Sequence, residues 1–119
     1  MLNHDLTQHE RRVALKGFFS IAKIWDLSET EQKALLCIEQ DESLGKWQKE
    51  GESVPPWKVI ERISCIFGIY IALRTIFPTE ERAAAWVRKP NRQFDGKPAI
   101  EVMLDDPYVV RRYLDAQLQ

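Results

Sequence analysis

This 119-residue chain is short of the residue types that most catalytic and metal-binding sites require. It has two cysteines, two histidines and five glycines. Cys37 and Cys65 cannot supply a four-ligand zinc site, and no Cys-x-x-Cys spacing exists. Each lies in an apolar run, which predicts two buried, reduced thiols rather than a disulfide. His4 and His9 stand five apart in a polar segment, off the i, i+4 ligand spacing, and read as solvated side chains. The glycines are too sparse for a phosphate-cradling loop, and no serine has nucleophile-elbow context. Asp105-Asp106 precedes a proline and reads as a helix cap, not as a catalytic pair. The composition therefore predicts neither an enzyme nor a metal or cofactor protein.

Long hydrophobic runs are missing too. The most apolar stretch, Ile63 to Leu73, has charged neighbours in Arg62 and Arg74, and is far shorter than the roughly 20 residues a helix needs to cross a bilayer. The N-terminus MLNHDLTQHERR is polar and carries Asp5 and Glu10, so it does not read as a signal peptide. A cytoplasmic protein with no membrane partner is expected. Charge of either sign is not in excess: 17 Lys and Arg face 18 Asp and Glu, a net of −1. That balance argues against indiscriminate binding to nucleic acid, which needs an unbalanced positive field. Sustained period-two alternation is also lacking, so no strand is predicted.

What is present has helical period. Thr7 and Glu10 have capping-box spacing and precede a face of Ala14, Phe18, Ile21 and Trp25, predicting a helix over 8–24. Ser28 and Glu31 repeat the spacing and open a second helix carrying Ala34, Leu35 and Ile38. Leu44 and Trp47, three apart, predict a short inward-facing turn of helix. Pro56 suits the first turn of a long apolar helix that stops before Pro78. Thr79 caps the next helix, Ile100 to Leu104 suggest another turn, and Asp106 with Pro107 opens the last helix. The fold class is all-α, with six to seven helices.

Two segments could carry binding. Leu27 to Trp47 has helix-turn-helix spacing, which would turn Ser43, Lys46 and Lys49 outward as DNA-binding residues. An ordinary helical hairpin fits equally well, because residues 1–53 hold seven basic and ten acidic side chains, a net of −3. Cys37 also occupies the turn position where Gly is common. Residues 54–119 hold ten basic and eight acidic side chains, a net of +2. Arg82, Arg88, Lys89, Arg92 and Lys97 concentrate that charge against Asp95 alone. Trp86, Phe94 and an Asp-Gly turn in the same stretch suggest a shaped binding loop.

The segments WVRKPNRQFDGKPAIEVMLDD and VVRRYLDAQL closely resemble the toxin-binding C-terminal domain of the Xre/ParS/MbcA antitoxins. These are partners of RES-domain toxins in bacterial type II toxin–antitoxin pairs. WDLSETEQKALL and VIERISCIFGIYIALRTIF resemble the same family's Xre-like helix-turn-helix and linking helix, so the likeness runs from about Arg11 to Leu118. It implies an N-terminal Xre-like helix-turn-helix packed on a helical toxin-binding domain. The implied division is 1–53 for the helix-turn-helix region, 54–78 for a linking and dimerisation helix, and 79–119 for toxin binding. It further implies a homodimer that masks the active site of an NAD-consuming RES toxin and represses its own operon by binding operator DNA. Toxin contacts would fall on Trp86, Arg88, Pro90, Asn91, Phe94, Gly96, Arg111, Arg112, Tyr113 and Leu114. Either an acidic group (Asp115 or the terminal carboxylate of Gln119) enters the toxin pocket, or Arg111 and Arg112 pair with toxin carboxylates. A stand-alone helix-turn-helix transcriptional regulator with a helical dimerisation domain is the alternative.

Overall fold

The structure, a computed structural model, describes residues 7–48 and 55–119. Seven α-helices follow one another in it: α1 (Gln8–Ile24), α2 (Glu29–Leu36), α3 (Gly45–Gln48), α4 (Trp57–Ile76), α5 (Glu80–Arg88), α6 (Ala99–Asp105) and α7 (Pro107–Gln117). A 3-10 turn, Arg92–Phe94, lies between α5 and α6. Among the described residues the only extended pairing is an isolated bridge between Pro90 and Pro98. The all-α class with seven helices agrees with the periodicity of the sequence. No helix among the described residues is long and apolar enough to cross a membrane. No group of three or more His, Cys, Asp or Glu gathers there either.

The helix starts follow from local chemistry. The Thr7 hydroxyl accepts from the Glu10 N–H at 3.1 Å, and the Glu10 carboxylate accepts from the Thr7 N–H at 3.0 Å. Two otherwise unpaired donors of the first turn are thereby satisfied. The Thr7 N–H, and then its hydroxyl, hold the Glu10 carboxyl below its ordinary value of 4.5. Ser28 and Glu31 repeat the reciprocal pair at 3.0 and 2.9 Å and start α2. Asp106 ends α6 and begins α7, its extended backbone allowing no linker and its carboxylate accepting from the Tyr108 N–H at 3.0 Å. Pro107 at the first helical position lacks an N–H that would need a partner there.

The chain divides into two compact units, Met1–Ser64 and Cys65–Gln119, with the division inside α4. The first unit buries Leu15, Phe18, Ile21, Trp25, Leu35, Leu36, Leu44, Trp47, Val59, Ile60 and Ile63. Leu44 and Trp47 do point inward as their spacing predicts. Long polar side chains tie this unit together at its loops. Arg62 Nε donates to the Leu35 carbonyl at 2.7 Å and its Nη2 to the Ala34 carbonyl at 3.3 Å, closing the C-terminus of α2. Arg11 donates to the Pro55 carbonyl at 3.1 Å. Lys33, a buried cation, donates to the Gln40 carbonyl at 2.8 Å and pairs with Glu29 at 3.4 Å.

Cys37 corrects the expectation of two buried thiols. Both cysteines are free, but only Cys65 is buried; Cys37 is exposed. It is the C-cap of α2 with φ 60° and ψ 42°, the left-handed conformation that favours glycine. An apolar sequence neighbourhood suggested burial, but the αL cap turns this side chain out of the helix face that carries Leu35 and Leu36.

The second unit buries Cys65, Ile66, Ile69 and Leu73 of α4 together with Val87, Phe94, Ile100, Met103, Val110 and Leu114. Within it α6 lies against both α5 and α7. Gly68 of α4 is the seat of the Arg111 guanidinium, which occupies the space a Cβ would take.

Candidate functional site

The site lies in the second unit, on the loop that joins α5 to α6 and on the faces of α5 and α7. The loop is held shut by one residue. The Asn91 N–H donates to the Lys97 carbonyl at 3.1 Å, and the Asn91 carbonyl accepts from Phe94 N–H at 3.0 Å and Gly96 N–H at 2.9 Å. Its side-chain oxygen accepts from Gln93 N–H at 2.9 Å and starts the 3-10 turn. Asp95 and Gly96 both have positive φ, 55° and 83°, which reverses the chain. A Cβ on Gly96 would meet nothing within 4 Å, so backbone conformation and not crowding explains the glycine. The Pro90–Pro98 bridge closes the neck. Loops with so many internal backbone bonds present their side chains in fixed positions.

An aromatic cluster anchors this loop from inside. Phe94 is buried and meets Tyr113 edge-on, with ring centroids 5.4 Å apart and an interplanar angle of 72°. Trp86 of α5 meets Phe94 edge-on at 6.2 Å and lies parallel to Tyr113 of α7 at 6.4 Å. Edge-to-face and offset-parallel geometries suit the ring quadrupoles. The three rings thus join α5, the loop and α7. Next to them is a groove of about 250 Å³ lined by Ile76, Phe77, Trp86, Tyr113, Leu114 and Gln117.

The ten residues expected at a toxin surface are placed unequally. Arg88, Pro90, Gly96 and Arg112 are exposed; Trp86, Asn91, Arg111 and Tyr113 are half-buried; Phe94 and Leu114 are buried. The structure brings Trp86, Phe94, Tyr113 and Leu114 to one place, whereas Arg111 turns to Gly68 and pairs with Asp115 at 3.2 Å. Sequence reasoning missed Ile76, Phe77 and Gln117 as groove residues. Ile76 and Phe77 fall at the end of a helix that is apolar throughout, and Gln117 carries no apolar signal.

The side chains expected at DNA are engaged locally. The Ser43 hydroxyl accepts from the Gly45 N–H at 3.0 Å. Lys46 pairs with Glu42 at 2.8 Å and sits 5.0 Å from the Trp47 ring centroid. Its hydrogen bond and charge lower the Glu42 carboxyl. Lys49 lies outside the described residues.

The C-terminal unit thus presents an internally braced loop with Lys89, Arg92 and Lys97 exposed. Residues 72–118 match the C-terminal toxin-binding domain of the Xre/MbcA/ParS antitoxins. A curated relative, the uncharacterized protein y4oB of Sinorhizobium fredii (strain NBRC 101917 / NGR234), is 45% identical over 107 residues, covering 87% of this chain and 82% of the relative. No solved structure matches the chain. The chain belongs to the Xre/MbcA/ParS antitoxin family and carries its toxin-binding domain.

Proposed function

We propose that this chain is a non-enzymatic antitoxin that neutralises a RES-domain, NAD-consuming toxin by masking its active site with residues of the segment 79–119. The observation that carries the reading is the braced loop within the family's toxin-binding domain. Its aromatic residues face inward and Arg88, Lys89, Arg92 and Lys97 are exposed. A loop ordered before binding loses little entropy on docking, so charged contacts made from it are retained as affinity. The protein acts in the cytoplasm as a homodimer.

Operator DNA is the second partner in this reading. Ser43, Lys46 and Lys49 would be the contacts, and repression would come mainly from the toxin–antitoxin complex, in which several weak sites act together. The net charge of −3 over residues 1–53 supports this order, since it opposes phosphate binding by an isolated unit.

Co-expression with the RES-type reading frame beside this gene tests the main reading. Growth should be rescued by the wild-type chain, while Arg88→Glu and Tyr113→Ala should weaken rescue without loss of circular-dichroism helicity. A wild-type chain that leaves the toxin active would sink it. For the DNA reading, free antitoxin should shift operator DNA at moderate salt less than the complex does.

A further inference from the structure

Resting on the toxin-binding reading, we infer that Arg111 is a positioning residue for that interaction and not itself a contact. Its guanidinium, seated on Gly68, pins α7 to α4 and so holds the aromatic cluster that anchors the loop. Gly68 lies in the interior of α4, where glycine is less favourable than alanine because it loses more backbone freedom on folding. The three atoms nearest to a Cβ built there all belong to the Arg111 guanidinium group. Alanine would claim the space that this group fills, so the glycine and the arginine fit one another. Both residues are half-buried. Arg111 Nε also donates to the Asp115 carboxylate, one helical turn on, at 3.2 Å, which fixes the direction of the side chain along α7.

The same helix is held on its other side by a ring. Residues two apart on a helix point about 200° apart at 3.6 residues per turn, so Arg111 and Tyr113 leave α7 on nearly opposite sides. Val110 and Leu114 are buried on the helix they share. Tyr113 lies parallel to Trp86 and edge-on to Phe94, and Phe94 is buried inside the loop that Asn91 closes. A movement of α7 that unseats Arg111 therefore also moves Tyr113 against those rings. Arg111 would have to give up Gly68 and Asp115 before meeting a toxin carboxylate, and that cost is subtracted from any affinity gained. Its neighbour Arg112 carries no such cost: it is exposed, and among the described residues no ion pair or side-chain hydrogen bond engages it.

The test uses the full chain, first without a partner. Gly68→Ala should raise the melting temperature in an Arg111→Ala background, where only the gain in helix propensity remains. In the otherwise wild-type chain it should raise it less, or lower it, because the guanidinium is displaced. Equal changes in the two backgrounds overturn the seat. Affinity for the purified RES-type toxin encoded beside this gene is then measured by titration calorimetry at two salt concentrations. Gly68→Ala, which changes no charge, and Arg111→Ala should each weaken binding by about fivefold. The double variant should bind no more weakly than either single one, the salt dependence of wild type should be kept, and amide exchange at Gln93 and Gly96 should rise. Arg111→Ala that flattens the salt dependence, beside a Gly68→Ala that binds as wild type does, makes Arg111 a contact and overturns the proposal. Unchanged affinity in both variants overturns it too. Wild type that fails to bind the toxin overturns the toxin reading instead, and the melting comparison, which needs no toxin, tells the two failures apart.

Discussion

The two halves of this chain hold their loops in different ways. In the first unit, Arg62 closes the end of α2, Arg11 holds the Pro55 carbonyl, Lys33 holds the Gln40 carbonyl and Lys46 holds Glu42. In the second unit, Asn91 and three aromatic rings hold the loop between α5 and α6; Arg111 pairs with Asp115, while Arg82, Lys89, Arg92, Lys97 and Arg112 stay exposed. A cation that satisfies a buried carbonyl stabilises a loop but is withdrawn from any partner. A loop braced by backbone bonds and rings leaves its cations available. Net charge does not capture this difference; the partners of each side chain do.

The comparison can be broken at the ring that anchors the second unit. Phe94→Ala removes a buried aromatic side chain and should cost about 3 kcal/mol in chemical denaturation. It should also free the loop, raising amide exchange at Gln93 and Gly96. If stability falls but the loop amides stay protected, Asn91 alone shapes the loop. The matching test in the first unit is Arg62→Ala, which leaves two carbonyls at the end of α2 without their charged donor. A loss of about 2 kcal/mol is expected, with faster exchange at the amides of residues 34–38. An unchanged denaturation midpoint would mean that water replaces the guanidinium freely.

Smaller effects sharpen the picture. Cys37→Gly should stabilise the chain by about 1 kcal/mol, because a non-glycine residue at φ 60° costs roughly 1–2 kcal/mol and glycine returns part of this in unfolded-state entropy. A lower melting temperature would show that the Cys37 side chain makes a compensating contact. The smallest effect is a pH dependence. Glu10 and Glu42 both have carboxyls lowered from 4.5 in the folded state. Their contribution is therefore present above about pH 4.5 and is lost as pH falls through the folded values. Thr7→Ala should shrink the difference in melting temperature between pH 6 and pH 3, because it removes the hydroxyl acceptor of the capping box and one source of the Glu10 shift.

Much of the fold is legible in the sequence because helix ends are local events. Thr7 with Glu10, Ser28 with Glu31, and Asp106 with Pro107 act over three residues or fewer, so their spacing predicts α1, α2 and α7 directly. The fate of Cys37 is less legible: hydropathy says buried, whereas the αL cap leaves it exposed. The site was legible in part. The Trp86-to-Lys97 stretch announces a shaped loop through its turn residues and rings, but not that Asn91 makes the closing bonds. The groove was not legible, because Ile76, Phe77 and Gln117 are distant from the loop in sequence.

By itself the sequence determined the class of fold, the starts of the helices and the concentration of positive charge between Arg82 and Lys97. These depend on spacing, capping and composition, which act over a few residues. Only the tertiary structure decided which charges are available. Arg111 reads as a surface cation, but its guanidinium is seated on Gly68 of α4, far from it in sequence. It also decided that Trp86, Phe94 and Tyr113 form one cluster beside one groove. Pairings of that kind join residues many positions apart, and a side chain's availability is a property of what surrounds it in space.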